Sequence, residues 1–290
     1  MTGWQEWPAR HRLEALANAP EGGEAENGSL IAAELAVFVE RIDANAPEAF
    51  PEAIDSVVRS LVAQRPTSAP VLTLANAVFL TIDRGPATVI AEVRAVAERL
   101  RTSVGILATM GAAFIPDGGS VLAHGTSSSV RQLLETAAGD KKFRVMCGTG
   151  WDGAGRLFAS DLADAGISVE LVDQDLVVDS LLGVDLIITG ASAFGPVTMI
   201  NTVGTDVLVR EAAGLDLRAL LVASADKALP ARLFARAAAA VAGMPGLEVV
   251  GLEHFEAIVT ELGVLDPAAA GRLAERREVA PQLAERDYRG

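Results

Sequence analysis

The sequence predicts an α/β protein: an N-terminal all-helical domain over 1–114, then a Rossmann-like parallel sheet domain over 115–290 with helices on both faces. Three observations predict it. Up to about Ile115 the apolar residues recur at helical spacing, and no segment alternates with a strand's period of two. Beyond Ile115, short apolar runs alternate with helical patterns, the rhythm of parallel strands joined by right-handed crossovers. Finally, 290 residues with 50% hydrophobic and 21% charged side chains suffice for a buried core, which at 4% aromatic must be built from Ala, Val, Leu and Ile.

In the first half, Trp4, Trp7, Leu13 and Leu16 mark a helix over roughly the first twenty residues, and Glu21 to Gly28 reads as a loop. Ser29 then suits the N-cap of a helix from Leu30 to Ile42, with Leu30, Ala33, Val37, Phe38 and Val39 on its apolar face. Phe50 to Ala63 repeats the pattern, and Pro51 fits a first helical turn. The Arg65–Pro70 segment breaks the chain before helices at Val71 to Ile82 and Ala87 to Thr102. In the second half, strands are predicted at Ser120–His124, Phe143–Cys147, Ser168–Val172, Asp185–Thr189, Ala219–Ala223 and Glu248–Leu252. The intervening helices are Val130–Ala138, Arg156–Ala165, a short one at Leu176–Leu182, and Asp206–Ala213.

Composition excludes several function classes. A formal net charge of −14 and no basic run argue against nucleic acid as a direct partner. Cys147 is the single cysteine, which excludes an intramolecular disulfide and a Cys-rich metal site. His11, His124 and His254 lie too far apart for local metal spacing, so no metal and no cofactor is expected. Asp185 interrupts the longest apolar stretch, and the N-terminus lacks a basic segment followed by an apolar one. No membrane span, no signal peptide and a cytoplasmic location are therefore expected.

In a doubly wound sheet the ligand sits beyond the carboxyl ends of the strands, so the chemistry is read there. The first strand ends in His124-Gly125-Thr126-Ser127-Ser128-Ser129 at a helix start, where hydroxyls, free N–H groups and the helix dipole suit a phosphate. The same residues would also serve as an N-cap with no ligand. The second strand runs into Cys147-Gly148-Thr149-Gly150-Trp151-Asp152-Gly153-Ala154-Gly155-Arg156, neither a Walker loop nor GxGxxG, in which Arg156 could reach an anion or simply lie on the surface. Cys147 is a candidate nucleophile or a small buried hydrophobe. After the third strand, Asp173 and Asp175 could act as acid and base, bind ribose hydroxyls, or belong to a solvated turn. Asn201, Gly204 and Thr205 precede a further helix in another anion-binding arrangement, and Lys227 follows the fifth strand.

Together these segments resemble the family that contains the alpha, beta and delta subunits of eukaryotic translation initiation factor 2B, the archaeal ribose-1,5-bisphosphate isomerases and methylthioribose-1-phosphate isomerase. The resemblance rests on Val121–His124 with Ser127, Asp185–Ala191, Ile200–Thr205, Val222-Ala223 with Lys227, and Ile258–Leu265. In the helical half it rests on Arg65–Pro70 with Ala75-Asn76. It spans about residues 30 to 270. It implies a helical domain, a Rossmann-like domain, and homodimers or larger assemblies joined through the latter. It also implies a small phosphorylated ligand, a sugar phosphate or nucleotide, for which the strand ends offer His124, Thr126, Ser127, Ser128, Gly148, Thr149, Arg156, Asn201, Gly204, Thr205 and Lys227.

The chain departs from the isomerases where their chemistry resides. They carry Cys directly after the first-strand histidine and Asp after the fourth-strand Gly-Ala; here these are Gly125 and Ser192. The thiol that moves a proton between sugar carbons and its carboxylate partner are both missing. Thr202 replaces a lysine, and Gly148-Thr149-Gly150-Trp151 replaces a loop with an arginine, so positive charge is lost as well. Two functions stay open: a phosphosugar- or nucleotide-binding protein without standard isomerase chemistry, or a divergent aldose–ketose isomerase using Asp173, Asp175 or Cys147.

Overall fold

The computed structural model describes residues 6–18, 23–150 and 152–284. Five helices come first: α1 (Pro8–Asn18), α2 (Glu24–Asn45), α3 (Phe50–Gln64), α4 (Ala69–Phe79) and α5 (Pro86–Ala112). The chain then alternates β1 (Ser120–His124), α6 (Ser128–Ala138), β2 (Arg144–Gly148), α7 (Gly155–Asp164) and β3 (Ser168–Val172). Two short 3₁₀ turns, Gln174–Leu176 and Asp179–Gly183, stand where one short helix was expected. They lead to β4 (Leu186–Thr189), β5 (Ala193–Phe194), β6 (Thr198–Thr202), α8 (Thr205–Gly214), β7 (Arg218–Val222), α9 (Ala231–Val241) and β8 (Leu247–Gly251). The chain closes with β9 (Ala257–Thr260), β10 (Gly263–Leu265), α10 (Pro267–Glu275) and α11 (Pro281–Ala284).

The main sheet has the order β10-β9-β7-β4-β1-β2-β3, parallel except for the edge strand β10, which returns as a hairpin on β9. Strand side chains alternate between two cores, as a period of two requires. Val121, Ala123 and Ile188 face Leu133, Leu134, Phe158 and Leu162 of α6 and α7. Leu122, Ile187 and Leu221 face Leu208, Val209 and Ala212 of α8 and Ala270 and Ala274 of α10. This is the α/β architecture the sequence predicts, with helices on both faces.

Several elements differ from expectation. The Glu248–Leu252 run forms β8 as predicted, but it pairs antiparallel with β6 in a separate three-stranded sheet, β5-β6-β8. The segment 24–28 is helical, not a loop, and Ser29 lies inside α2, where its hydroxyl donates to Ala97 O at 3.0 Å. The reason lies at Gly28: a Cβ there would stand 2.4 Å from Pro70 Cβ, so the glycine marks a close crossing of α2 and α4 rather than a turn. The buried stripe of α2 is also displaced, with Ile31, Leu35, Phe38 and Ile42 inside and Leu30 and Ala33 exposed. Trp4 lies outside the described residues.

The packing does not stop at the expected boundary of 114. Residues Leu107 and Ala108 of α5 belong to the sheet core, while Leu233, Phe234 and Ala237 of α9 join the helical core with Ala280 and Leu283. Asn76 fastens the C-terminal segment there: its Nδ2 donates to Glu278 O at 2.7 Å and its Oδ1 accepts from Ala280 N at 2.8 Å. Asn76→Ala leaves both backbone groups without this partner, and we expect a loss of about 1–3 kcal/mol. Limited proteolysis checks it: cleavage beyond Glu275 should accelerate before the rest of the chain is cut.

Candidate functional site

Viewed from β1, the chain first builds outward through β2 and β3, then crosses to lay β4 on the other side of β1. That reversal opens a crevice at the carboxyl ends of β1 and β4. A cleft of about 510 Å³ occupies it. Its wall holds His124 to Ser127 after β1, Gly190 to Ser192 after β4, Asn201 and Thr202 of β6, Lys227 after β7, and Gly243 to Leu247 before β8; Glu24 and Asp152 complete it.

The polar wall is assembled by hydrogen bonds from strand to strand. Thr189 Oγ1 donates to His124 O at 2.8 Å, tying the end of β4 to the end of β1. Asn201 Nδ2 donates to Thr189 Oγ1 at 2.7 Å and to Thr205 Oγ1 at 3.1 Å, and Thr205 in turn donates to Thr202 O at 2.6 Å. Asn201 thus carries the order of the main sheet into the second sheet and the start of α8.

His124 is 3% exposed, and its Nε2 is buried with no hydrogen-bond partner. Burial pushes its pKa down to about 4, against a smaller opposing effect of the Val203 backbone, so the ring is neutral at pH 7. A buried polar atom without a partner is costly, and this one belongs to a residue of the cleft wall. Lys227 is also buried, and its Nζ donates to Ala191 O at 2.7 Å. Burial lowers its pKa, and the nearby Glu24 carboxylate opposes that. Ser127 caps α6, its Oγ accepting from Val130 N at 3.4 Å.

Gly125 has φ +78°, the left-handed region that L side chains adopt with strain. This is the position at which the isomerases carry their cysteine. The backbone of this chain is therefore shaped for glycine there. Ser192, at the position of their aspartate, lines the same cleft.

Of the residues singled out from the sequence, the structure brings His124, Thr126, Ser127, Asn201 and Lys227 together on the wall. Ser128 lies beside them, packed against Gly23, and Thr205 and Gly204 stand behind Asn201 at the start of α8. The others do not line the cleft. Thr149 and Gly148 brace the end of β3, where Thr149 N donates to Val172 O at 2.9 Å and Thr149 Oγ1 accepts from Gln174 N at 3.1 Å. Arg156, Asp173 and Asp175 are exposed away from it. Cys147 is buried within the sheet core, and burial pushes its thiol up to about 12. Trp151 lies outside the described residues.

Sequence reasoning missed Glu24, Asp152 and the Gly243-Met244-Pro245-Gly246 turn. The Pro-Gly pair could have flagged the turn. Nothing local marks Glu24, which comes from the helical half and is held by Ser68 Oγ and, at 3.6 Å, by Arg65. Among the described residues, no group of three or more His, Cys, Asp or Glu side chains could hold a metal ion, and no helix is long and apolar enough to cross a membrane.

The architecture of a helical half joined to a mostly parallel sheet agrees with the comparisons. The model of the initiation factor 2 subunit family, IF-2B, matches residues 21–232. The chain belongs to that family. Its fold is similar to the Pyrococcus horikoshii OT3 translation initiation factor eIF-2B, with a TM-score of 0.76 at 20% identity over 89% of this chain and 97% of that one. It is similar to a chain of the tetrameric eIF2B-beta2-delta2 complex from C. thermophilum, with a TM-score of 0.72 at 14% identity over 92% and 93% of the two chains. It is similar also to 5-methylthioribose 1-phosphate isomerase from Pyrococcus horikoshii OT3, with a TM-score of 0.65 at 18% identity over 92% and 86%. No curated protein matches the chain by sequence.

Two measurements test the electrostatics of this IF-2B site. A histidine near pKa 4 in the folded state and 6.5 unfolded contributes stability above pH 6.5 that is lost as the pH falls through 4, about 3 kcal/mol in all. Urea unfolding at pH 7 and pH 4 should therefore show a smaller acid loss in His124→Asn than in the wild type. The Cys147 thiol should resist alkylation by iodoacetamide at pH 8 in the folded chain and react on unfolding. Rapid native-state labelling would contradict its burial.

Proposed function

We propose that this IF-2B family chain binds a small phosphorylated ligand, a sugar phosphate or nucleotide, without performing standard aldose–ketose isomerisation. The carrying observation is His124 Nε2, a buried polar atom with no protein partner on the wall of a cleft that also presents Lys227 and the start of α6. Free N–H groups of the α6 first turn and the helix dipole favour a phosphate, the Lys227 ammonium adds a charge-assisted donor, and the neutral His124 ring offers a further hydrogen bond.

Proton transfer between adjacent carbons needs an acid and a base placed over the substrate. Gly125 and Ser192 supply neither at the positions where the isomerases have them. Cys147, Asp173 and Asp175 stand off the cleft, and the Cys147 thiol is held protonated by burial. These placements support binding rather than turnover. The likeness to subunits that assemble with one another supports a homodimer or larger assembly, and a helical domain over 1–114 with a ligand-binding domain over 115–290 acting together. A cytoplasmic location fits such a role.

Thermal shift against a panel of sugar phosphates and nucleoside monophosphates should show stabilisation, which Lys227→Met reduces at least about tenfold in apparent affinity. No stabilisation by any anion would overturn the binding reading. Ketose formed from ribose 1,5-bisphosphate or methylthioribose 1-phosphate would overturn the loss of chemistry.

A further inference from the structure

The cleft wall carries an uneven set of charges. Among the described residues that line it, Lys227 is the one basic side chain, while Glu24 and Asp152 are acidic and no arginine is present. Arg65, the nearest arginine on the sequence side of the helical half, is engaged in holding Glu24 and in donating Nε to Ala17 O at 2.8 Å. Glu24 is built into the wall: it opens α2, receives the Ser68 hydroxyl, and is flanked by Gly23, where a Cβ would stand 2.0 Å from Ser128 Oγ. The start of α2 is thus wedged against the start of α6, and the Glu24 carboxylate is held there by Ser68 and Arg65.

A phosphate ester carries about −1.5 to −2 charges at neutral pH. One such group is matched by Lys227 and the α6 N-terminus, with His124, whose buried Nε2 has no partner, in the same wall. A second would meet Asp152, or Glu24, whose basic partner Arg65, 3.6 Å away, is not a residue of the cleft wall. Carboxylates, in contrast, are good acceptors for sugar hydroxyls.

We infer that the cleft selects a polyol monophosphate over a bisphosphate, with Glu24 as the specificity-determining residue that accepts ligand hydroxyls and repels a second phosphate. The inference rests on the phosphate-binding reading above and narrows its ligand class. Like charges brought together at a binding surface cost enough to shift affinity at least about tenfold.

Isothermal titration of the full chain with ribose 5-phosphate, ribose 1,5-bisphosphate and inorganic phosphate tests it. Ribose 5-phosphate should bind at least about tenfold tighter than the bisphosphate and tighter than inorganic phosphate. Glu24→Gln, which keeps an acceptor for Ser68, should narrow the first ratio by at least about fivefold, tightening the bisphosphate and weakening ribose 5-phosphate relative to inorganic phosphate. Equal or tighter binding of the bisphosphate by the wild type overturns the selectivity, and needs no variant to be seen. A ratio unmoved by Glu24→Gln, in a variant whose melting shows it folded, overturns the role of Glu24. Absence of heat and thermal shift with all three probes overturns the phosphate site itself, a failure distinct from the other two.

Discussion

The carboxylate of Asp226, 1% exposed, is the point at which three parts of the chain are joined. Arg99 of α5 donates to both its oxygens, at 3.2 and 3.4 Å, and Arg277 from beyond α10 donates to Oδ1 at 3.1 Å and to Ala225 O at 2.9 Å. Thr73 of α4 closes the arrangement by donating to Asp226 O at 2.9 Å. A buried ion pair adds modest net stability when complete, but removing one partner costs about 3–5 kcal/mol, because an uncompensated charge stays behind. The price of that geometry is rigidity, and rigidity is what the neighbouring residue needs.

That neighbour is Lys227. The two side chains leave the same short turn after β7 in different directions, one toward the arginines and one toward the cleft. Because Asp226 is tied to α4 and α5, the ammonium of Lys227 is placed by the helical half as much as by the sheet. Glu24 enters the same cleft from α2, near enough to act on Lys227, so the helices help place both side chains. The cleft is thus a property of the two halves in contact. The shared cores, with α5 reaching into the sheet and α9 reaching into the helices, give that contact its apolar ground.

Much of this was legible in the sequence. Ser120–His124 and Ser168–Val172 were read with the bounds they have, since each is a short run rich in apolar residues ended by Gly or Asp, the first buried and the second a more exposed edge strand. The strand ends at His124 and Lys227, with Ser127 just beyond the first, were legible from topology, which sends carboxyl ends to one side of the sheet, whereas Asn201 reaches the cleft from the second, antiparallel sheet. What was not legible depended on distant contacts. Gly28 reads locally as a turn, and only the approach of Pro70 makes it helical. Glu248–Leu252 reads as one more parallel strand, and only its pairing with β6 sends it elsewhere. Cys147, Asp173 and Asp175 have reactive side chains near strand ends, yet Cys147 points into the sheet core and the two aspartates follow the edge strand β3, away from the reversal between β1 and β4.

The same distinction separates scaffold from chemistry in this site. The His124–Thr189–Asn201–Thr205 arrangement is needed to close the sheet, since each member satisfies a strand-end carbonyl or hydroxyl that would otherwise be buried unpaired. Gly125 and Ser192 lend no side chain to that network. At Gly125 the backbone has gone further, into a conformation where a cysteine would be strained. A thiol at this position would take a change in the path of β1 into α6 as well as a change of side chain. The path of β1 into α6 is therefore set, through one backbone angle, for a residue without a side chain.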